Sequence, residues 1–192
     1  MVDASKSHGK GLFGLEALLK EQASGKGLPP VERWNPPYCG DIGMAIRSDG
    51  VWLYQGSPIG RKPLVRLFSS VLRKDADGRT YLVTPAEKVD VAVADAHFLA
   101  VEMEVRGQAR EQQLTFRTNV DDVVACGPEH PLRFVVEAAA GGLKPYLMVR
   151  GRLEALVTRA VYYDLVELAF EEGDKLGLWS GGAFFPLEPP AA

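Results

Sequence analysis

The feature that most constrains the fold of this chain is a succession of strand patterns between residues 81 and 156. In short runs there, apolar side chains alternate with polar ones, as in strands that bury one face of a sheet. The longest run alternates four apolar with three charged residues, namely Leu99, Val101, Met103 and Val105 with Glu102, Glu104 and Arg106. Shorter runs place apolar residues at Leu114, Phe116, Leu132, Phe134, Val136, Leu147 and Val149. These runs predict mainly antiparallel β-sheet.

Three other segments show the helical spacing of apolar residues. The first carries Leu12, Leu15, Leu18 and Leu19. The second follows Pro63, which suits a first helical turn, and carries Leu64, Leu67, Phe68, Val71 and Leu72. The third starts after Thr158 as N-cap, extends to about Phe170, and carries Val161, Leu165, Leu168 and Ala169. Helices that alternate with runs of antiparallel strands predict an α+β fold.

Two segments near opposite ends of the chain resemble each other, and both are predicted to be β-hairpins. Residues 42–56 turn at Asp49-Gly50, and residues 176–187 turn at Gly181-Gly182. Five pairs of positions align without a gap, namely Met44/Leu176, Ile46/Leu178, Ser48/Ser180, Gly50/Gly182 and Trp52/Phe184. Because hairpins share turn chemistry, the residues alone leave both internal duplication and chance open.

Composition and charge exclude several classes of function. The chain has 192 residues, of which 46% are hydrophobic, and a net charge of −3. A mildly acidic chain has no overall electrostatic attraction to nucleic acid or to an anionic membrane. No run approaches the ~20 apolar residues of a membrane span, and the two cysteines, Cys39 and Cys126, fit a reducing compartment. We therefore expect a soluble cytoplasmic protein with no membrane span and no nucleic-acid partner.

The segment GSPIGRKPL, residues 56–64, is close to a phosphate-binding P-loop but does not match it. A P-loop has four residues between its glycines, then Lys, then Ser or Thr. Here Gly56 and Gly60 enclose three residues, Arg61 stands at the lysine position, and Pro63 stands at the hydroxyl position. Pro63 also removes a backbone donor, so the segment is not a P-loop.

A weaker anion site remains at the start of the helix that follows. Arg61 and Lys62 stand near the helix N-terminus, where the helix dipole favours anions by roughly 0.3 to 1 kcal/mol. The spacing of the next polar residues predicts a stripe along this helix, formed by Lys62, Arg66, Ser69 and Arg73. The alternative interpretation is a solvated basic face that pairs with acids elsewhere.

Catalytic and metal-binding chemistry has less support in the residues. None of the three histidines is near Cys39 in sequence, so no partner that would activate its thiol is apparent. We interpret Cys39 as a packing residue, and Asp41 as an acceptor for backbone N–H groups of its own turn. No spacing typical of a metal site occurs. We predict no metal and no catalytic residue, and an enzyme centred on Cys39, Asp41 or His97 remains an alternative.

Five segments together resemble one bacterial family, the domain-of-unknown-function family 1285. They are PPYCGDIGMAI, DGVWLYQGSPIGRKPLVRLFSSVLRKDADGRTYLVTPAEK, FRTNVDDVV, GPEHPL and LGLWSGGAFFPL. The resemblance extends from about Leu12 to Leu187. It implies a duplicated α+β fold of two related, mainly antiparallel halves with helices packed on them. The second half would be superficially similar to pleckstrin-homology-like domains, and we place the halves at residues 12–85 and 86–187.

The resemblance also implies a class of function rather than a reaction. It suggests signal transduction, with a partner protein and a small anionic, nucleotide-like ligand at the interface of the two halves. We assign phosphate contacts to Arg61, Lys62 and Arg66, because Arg presents a planar fork and Lys a point charge. Further candidates near strand ends are Glu87, Lys88, Asn119 and Arg150. No other cofactor is implied, and a protein-interaction module without a ligand is the remaining alternative.

Overall fold

The computed structural model describes residues 27–137 and 142–188 of the chain. Within these ranges the chain divides into two compact units. The N-terminal unit contains residues 27–45 and Trp52–Ala92, and the C-terminal unit contains Ile46–Val51 and residues 93–188. The helix predicted around Leu12 to Leu19 lies outside the described residues. The predicted boundary between residues 85 and 86 stays a prediction.

The N-terminal unit is built around a six-stranded sheet. In chain order the strands are β1 (Tyr38–Ile46), β2 (Trp52–Tyr54), β3 (Ser57–Pro58), β4 (Leu72–Lys74), β5 (Thr80–Val83) and β6 (Lys88–Val93). Their order across the sheet is β3-β2-β1-β6-β5-β4. Helix α1 (Lys62–Ser70) buries Leu67 and Phe68, and the Phe68 ring stacks on Trp52 at a centroid distance of 6.1 Å. A short 3-10 helix (Val31–Arg33) precedes β1.

The hairpin predicted at residues 42–56 is confirmed. Strands β1 and β2 are neighbours in the sheet, and the Arg47 N–H donates to the Val51 carbonyl at 3.0 Å. The turn closes where the Gly50 N–H donates to the Arg47 carbonyl at 2.9 Å. Gly50 has a φ of 78°, a conformation that glycine adopts at little cost. The Asp49-Gly50 pair therefore specifies this turn, as the sequence indicated.

The C-terminal unit contains a second six-stranded sheet. Its strands are β7 (Phe98–Arg106), β8 (Gln113–Thr118), β9 (Val123–Ala125), β10 (Leu132–Val136), β11 (Leu143–Arg150) and β12 (Leu153–Val157). They are ordered β10-β11-β12-β7-β8-β9. Strands β7 and β12 pair in parallel, and the other four pairs are antiparallel. The prediction of mainly antiparallel pairing is therefore confirmed for this sheet.

A helix and a small third sheet complete the C-terminal unit. Helix α2 (Arg159–Glu167) begins after Thr158, as predicted, and buries Val161 and Leu165. It ends three residues before Phe170, which instead opens the third sheet, formed by β13 (Phe170–Glu172), β14 (Lys175–Ser180) and β15 (Ala183–Pro186). The predicted hairpin at Gly181-Gly182 is the β14–β15 connection. A short 3-10 helix (Ala109–Glu111) joins β7 to β8.

The face that β7 buries matches the sequence prediction at Val101 and Met103 but differs from it at both ends of the alternating run. Phe98 and Ala100 are fully buried, whereas Leu99 is only half-buried and Val105 is 38% exposed. The pairing of β7 with β8 is irregular between Ala100 and Glu102, and such a bulge inserts one residue into the ladder. A strict two-residue period therefore cannot describe the whole strand.

The observed architecture is α+β and consists mostly of strands, with the two helices α1 and α2 among the described residues. Each unit combines a six-stranded sheet with a nine-residue helix, in keeping with a two-domain duplicated architecture. The similarity of the second half to pleckstrin-homology-like domains stays a prediction. Among the described residues, no helix has the length and apolar character needed to cross a membrane.

Candidate functional site

The N-terminal end of α1 carries exposed basic side chains. Arg61 is the N-cap and has extended backbone angles, Lys62 is the first helical residue, and the first turn contains no acidic residue. Arg61, Lys62 and Arg66 are all exposed. Within the described ranges, the side chains of Arg61 and Lys62 make no ion pair or hydrogen bond. The structure therefore places three of the predicted phosphate ligands on one short helix, with Arg61 and Lys62 at its positive end.

The predicted polar stripe does not continue beyond Arg66. Helix α1 ends at Ser70, because the Val71 N–H caps it by bonding to the carbonyls of Phe68 and Ser69. Ser69 is 4% exposed, and its hydroxyl donates to the Arg66 carbonyl at 2.8 Å. Arg73 lies in β4 and is 8% exposed. Helical spacing no longer applies at that point, so Ser69 and Arg73 are not part of an exposed basic face.

Arg73 and Lys88 belong to an internal polar network. The Arg73 Nε donates to Asp75 Oδ1 at 2.5 Å, and its Nη1 donates to the carbonyls of Val31 (2.7 Å) and Trp34 (2.8 Å). The Lys88 ammonium contacts Asp75 Oδ2 at 3.2 Å. The hydrogen bond from Arg73, followed by contributions from Lys88, holds the pKa of Asp75 below its usual value. Both cations thus make their contacts within the N-terminal unit and stabilise its structure.

Glu87 carries an acidic side chain, whose charge has the wrong sign for a phosphate ligand. It lies in the connection from β5 to β6, where its N–H donates to the Thr84 hydroxyl at 3.1 Å. Its side chain is 9% exposed, and its carboxylate has no partner among residues 27–137 and 142–188. Burial raises the pKa of this carboxyl. An ionised Glu87 would repel a phosphate, so this residue adds nothing to an anion site.

Asn119 and Arg150 lie in the C-terminal unit and serve its internal structure. The Asn119 Oδ1 accepts the Leu99 N–H at 3.0 Å, while the Asn119 N–H donates to the Leu99 carbonyl at 2.9 Å. Arg150 donates to Asp122 Oδ2 at 2.5 Å, and its guanidinium lies 5.0 Å from the centre of the Phe98 ring. Their polar groups are therefore engaged within this unit.

The residues of the alternative enzyme site have structural contacts. Asp41 accepts the Gly43 N–H at 2.7 Å, as predicted for its turn, and the exposed Cys39 has its Sγ 3.6 Å from the Pro37 carbonyl. Both lie on β1. His97 is buried in the C-terminal unit, and its Nδ1 accepts the Glu154 N–H at 3.1 Å. In the described part of the chain, no three His, Cys, Asp or Glu residues cluster as metal ligands.

A cavity of about 490 Å³ lies at the C-terminal end of α2, and we call it the helix-end cavity. Its wall comes from three separate segments: the end of β7 with the loop that follows it, the last turn of α2 with Phe170, and β14. The side chains used below are Gln112, Glu167, Phe170 and Trp179. No motif joins these segments, so the sequence could not indicate the cavity, and the helix prediction had even included Phe170.

A second cavity of about 300 Å³ lies beside the start of α2. Lys144, Arg159 and Tyr162 are among its lining residues. The Lys144 ammonium is already paired, with Asp95 at 3.0 Å and with Glu137 at 3.4 Å. The hydrogen bond to Asp95 is the main reason that the pKa of Lys144 is raised. The sequence predicted none of these three residues.

Two matched domains account for most of the sequence. Residues 29–96 match the N-terminal domain of the DUF1285 family, described as a domain of unknown function, and residues 97–187 match its C-terminal domain. A crystal structure of a DUF1285 family protein from Silicibacter pomeroyi DSS-3 is 48% identical, with a TM-score of 0.82, and the alignment covers 90% of this chain and 95% of that one. A crystal structure of a DUF1285 family protein from Shewanella baltica OS155 is 28% identical, with a TM-score of 0.52. The alignment covers 68% of this chain and 94% of that one. No curated protein matches the sequence.

Proposed function

This chain belongs to the DUF1285 family, whose function is unknown, and we propose that it is a regulatory protein that binds a small anionic, nucleotide-like ligand. The observation that supports the proposal is the pair of exposed cations, Arg61 and Lys62, at the N-terminal end of α1. Neither side chain has a partner among the described residues. We therefore locate phosphate binding in the N-terminal unit.

Electrostatics favour a phosphate at this position. The positive end of the α1 dipole and the two side-chain charges act in the same direction, and no acid in the first turn opposes them. Arg61 offers a bidentate fork and Lys62 a point charge. Pro63 contributes no N–H, so the side chains rather than a cradle of backbone donors must supply most of the contacts. The exposed position implies modest, salt-sensitive affinity.

We assign a regulatory role because of how the candidate catalytic groups are held. Asp41 accepts the Gly43 N–H, the Cys39 Sγ lies 3.6 Å from the Pro37 carbonyl, and the His97 Nδ1 accepts the Glu154 N–H. A catalytic nucleophile is activated by a side-chain base, whereas the partner in each of these three contacts is a backbone group. In this role a signalling partner protein would bind the pleckstrin-homology-like second half, and no reaction would be catalysed.

Calorimetric titration of the wild-type chain with ATP, GTP, pyrophosphate and phosphate tests the proposal. We expect at least one of these probes to bind, and the double substitution Arg61→Ala/Lys62→Ala to weaken its binding about 10-fold or more. The matched control is Arg152→Ala/Lys175→Ala, which removes two exposed positive charges from the C-terminal unit. A wild-type protein that binds none of the four, or equal losses in both double variants, would refute the proposal.

A further inference from the structure

We propose that the helix-end cavity of the C-terminal unit binds a small organic cation, a protonated amine or guanidinium carried on a hydrocarbon chain. This site is separate from the anion site proposed for α1, and its ligand has the opposite charge. Its volume of about 490 Å³ lies in the range of small-molecule sites. The argument rests on the acceptors, the aromatic walls and the charges that line it.

The first acceptor is Gln112, which is 6% exposed. Its Nε2 donates to the Trp179 carbonyl at 2.9 Å, and because a carbonyl can only accept, this bond fixes which end of the amide faces Trp179. The Gln112 Oε1 then lies on the opposite side of the amide, with no hydrogen-bond partner among the described residues. The backbone of Gln112 is also held, by bonds with Ala109 and Gly181. A well-held acceptor without a hydrogen-bond partner, on the wall of a cavity, suits a ligand that donates.

The second acceptor is Glu167, the last residue of α2. Its exposed carboxylate has no ion pair within the described ranges. Glu167 stands at the negative end of the α2 dipole, and the last turn of the helix contains no basic residue that would offset this charge. The carboxylate and the helix end together give this part of the cavity a negative potential, which attracts a cation.

The aromatic walls favour an organic cation over a metal ion. Phe170 is 42% exposed and Trp179 is half-buried, and both line the cavity together with Val105 and Leu168. Ring faces attract ammonium and guanidinium groups, and apolar walls hold a hydrocarbon chain. The Trp179 ring already attracts one cation of this protein, since the Arg110 guanidinium lies 5.5 Å from its centre.

Arg110 leaves the charge of Glu167 unbalanced. Its guanidinium is paired with Glu172, which also accepts the Trp179 indole N–H at 3.3 Å. Among the side chains that line the cavity there is no Lys, Arg or His. The lining is thus one carboxylate, two amides and apolar groups, which is the complement of a hydrocarbon chain with one positive end.

Proton–nitrogen NMR of the indole N–H groups tests the proposal on the whole chain. The chain has three tryptophans, and Trp179→Phe assigns the Trp179 signal. Probes are hexylammonium and hexylguanidinium, with the neutral 1-hexanol and the anionic hexanoate as controls. We expect both cations to shift the Trp179 signal at concentrations below about 1 mM, and the buried Trp52 of the other unit to stay unshifted.

Substitution of the carboxylate tests the role of charge. Glu167→Gln keeps the shape of an exposed side chain, and we expect it to weaken hexylammonium binding about 5- to 10-fold while leaving hexanol unaffected. The matched control is Glu129→Gln, an exposed glutamate outside the cavity lining, which should leave binding unchanged. A blocked lysine that binds as tightly as hexylammonium would identify a peptide side chain as the source of the cation.

Three results would overturn the proposal. The first is a Trp179 signal that neither cation shifts at about 10 mM. The second is hexanol or hexanoate binding as tightly as hexylammonium. The third is unchanged amine affinity in Glu167→Gln. Loss of phosphate binding at α1 would not affect any of these results, so the two proposals can fail independently.

Discussion

The two hairpins that align in sequence, β1–β2 and β14–β15, use matching positions in different ways. Ile46 and Leu178 are both buried, at 1% and 0% exposure. The preceding inward position differs, because Met44 is 2% exposed whereas its counterpart Leu176 is 46% exposed. The turns share one glycine at positive φ, with Gly50 at 78° and Gly182 at 75°, but Gly181 also has a positive φ of 56° whereas Asp49 does not. One glycine of each turn and one buried position are therefore shared, while the rest of the turn and the other inward position differ.

This difference shows what a repeated sequence pattern specifies. Alternation and a Gly-containing turn set the backbone of each hairpin, and so they predict the same local structure twice. The role of each side chain depends on what the rest of its unit packs against it. Ser48 is exposed, for example, whereas Ser180 is fully buried and hydrogen-bonded. Two pairs of substitutions and one single substitution measure how far the two hairpins have diverged.

The largest difference is expected at the first aligned pair. Met44→Ala should lower the free energy of unfolding by about 2 to 4 kcal/mol, because it empties a filled core position. Leu176→Ala should change it by less than about 0.5 kcal/mol, because nearly half of that side chain is already in water. Urea unfolding followed by circular dichroism measures both. Equal losses would show that the hairpins are more alike than the structure indicates.

A smaller difference in the free energy of unfolding is expected for the aligned serines, Ser48 and Ser180. The Ser180 hydroxyl donates to the Cys126 carbonyl at 2.8 Å and accepts the Leu114 N–H at 2.9 Å. Ser180→Ala leaves that buried N–H unbonded, so we expect a loss of about 2 kcal/mol in the free energy of unfolding. Ser48→Ala, on an exposed turn, is the matched control and should cost about zero. A Ser180→Ala protein as stable as Ser48→Ala would contradict the proposed role of the hydroxyl.

The smallest effect on the free energy of unfolding is expected when Trp52 is replaced by phenylalanine, the residue at the aligned position of the second hairpin. The Trp52 indole N–H is buried and has no hydrogen-bond partner in the described part of the chain. Trp52→Phe, which installs the residue found at position 184, loses buried ring area but also removes this unbonded donor. The two effects oppose each other, and we expect a net loss of about 1 kcal/mol or less in urea unfolding. A loss above about 3 kcal/mol would contradict the expected balance and show that the lost ring packing outweighs the removal of the unbonded donor.

The fold was predictable where local pattern decides it. Both hairpins follow from turn residues and the start of α1 from a proline, while α2 begins after Thr158 although the Thr158 side chain makes no capping hydrogen bond. The prediction failed at helix ends and at the β7 bulge. Val71 and Leu72 continue the apolar spacing of α1, yet Leu72 already belongs to β4. A short helix that runs directly into a buried strand has no gap in its hydrophobic pattern to mark the change.

The candidate site was predictable from the sequence only where it depends on residues that are neighbours along the chain. Arg61 and Lys62 follow from a helix start that can be read from neighbouring residues. The burial of Arg73 could not be predicted, because its partners Val31 and Trp34 are about 40 residues away in sequence and offer backbone carbonyls, which any residue has. The helix-end cavity likewise depends on segments brought together only by the fold.

The parallel pairing of β7 with β12 has a consequence for how the C-terminal unit folds. It joins Phe98 to Ala155, so a long stretch of chain must be ordered or closed into a loop before the pair can form. The hairpins β7–β8 and β10–β11 need only nearby residues and can form first. During synthesis, the centre of the sheet must wait until β12 has left the ribosome. Pulse-labelled hydrogen exchange should therefore show protection in the hairpins before it appears at Thr158, whose N–H donates to the Ala100 carbonyl across the parallel pair.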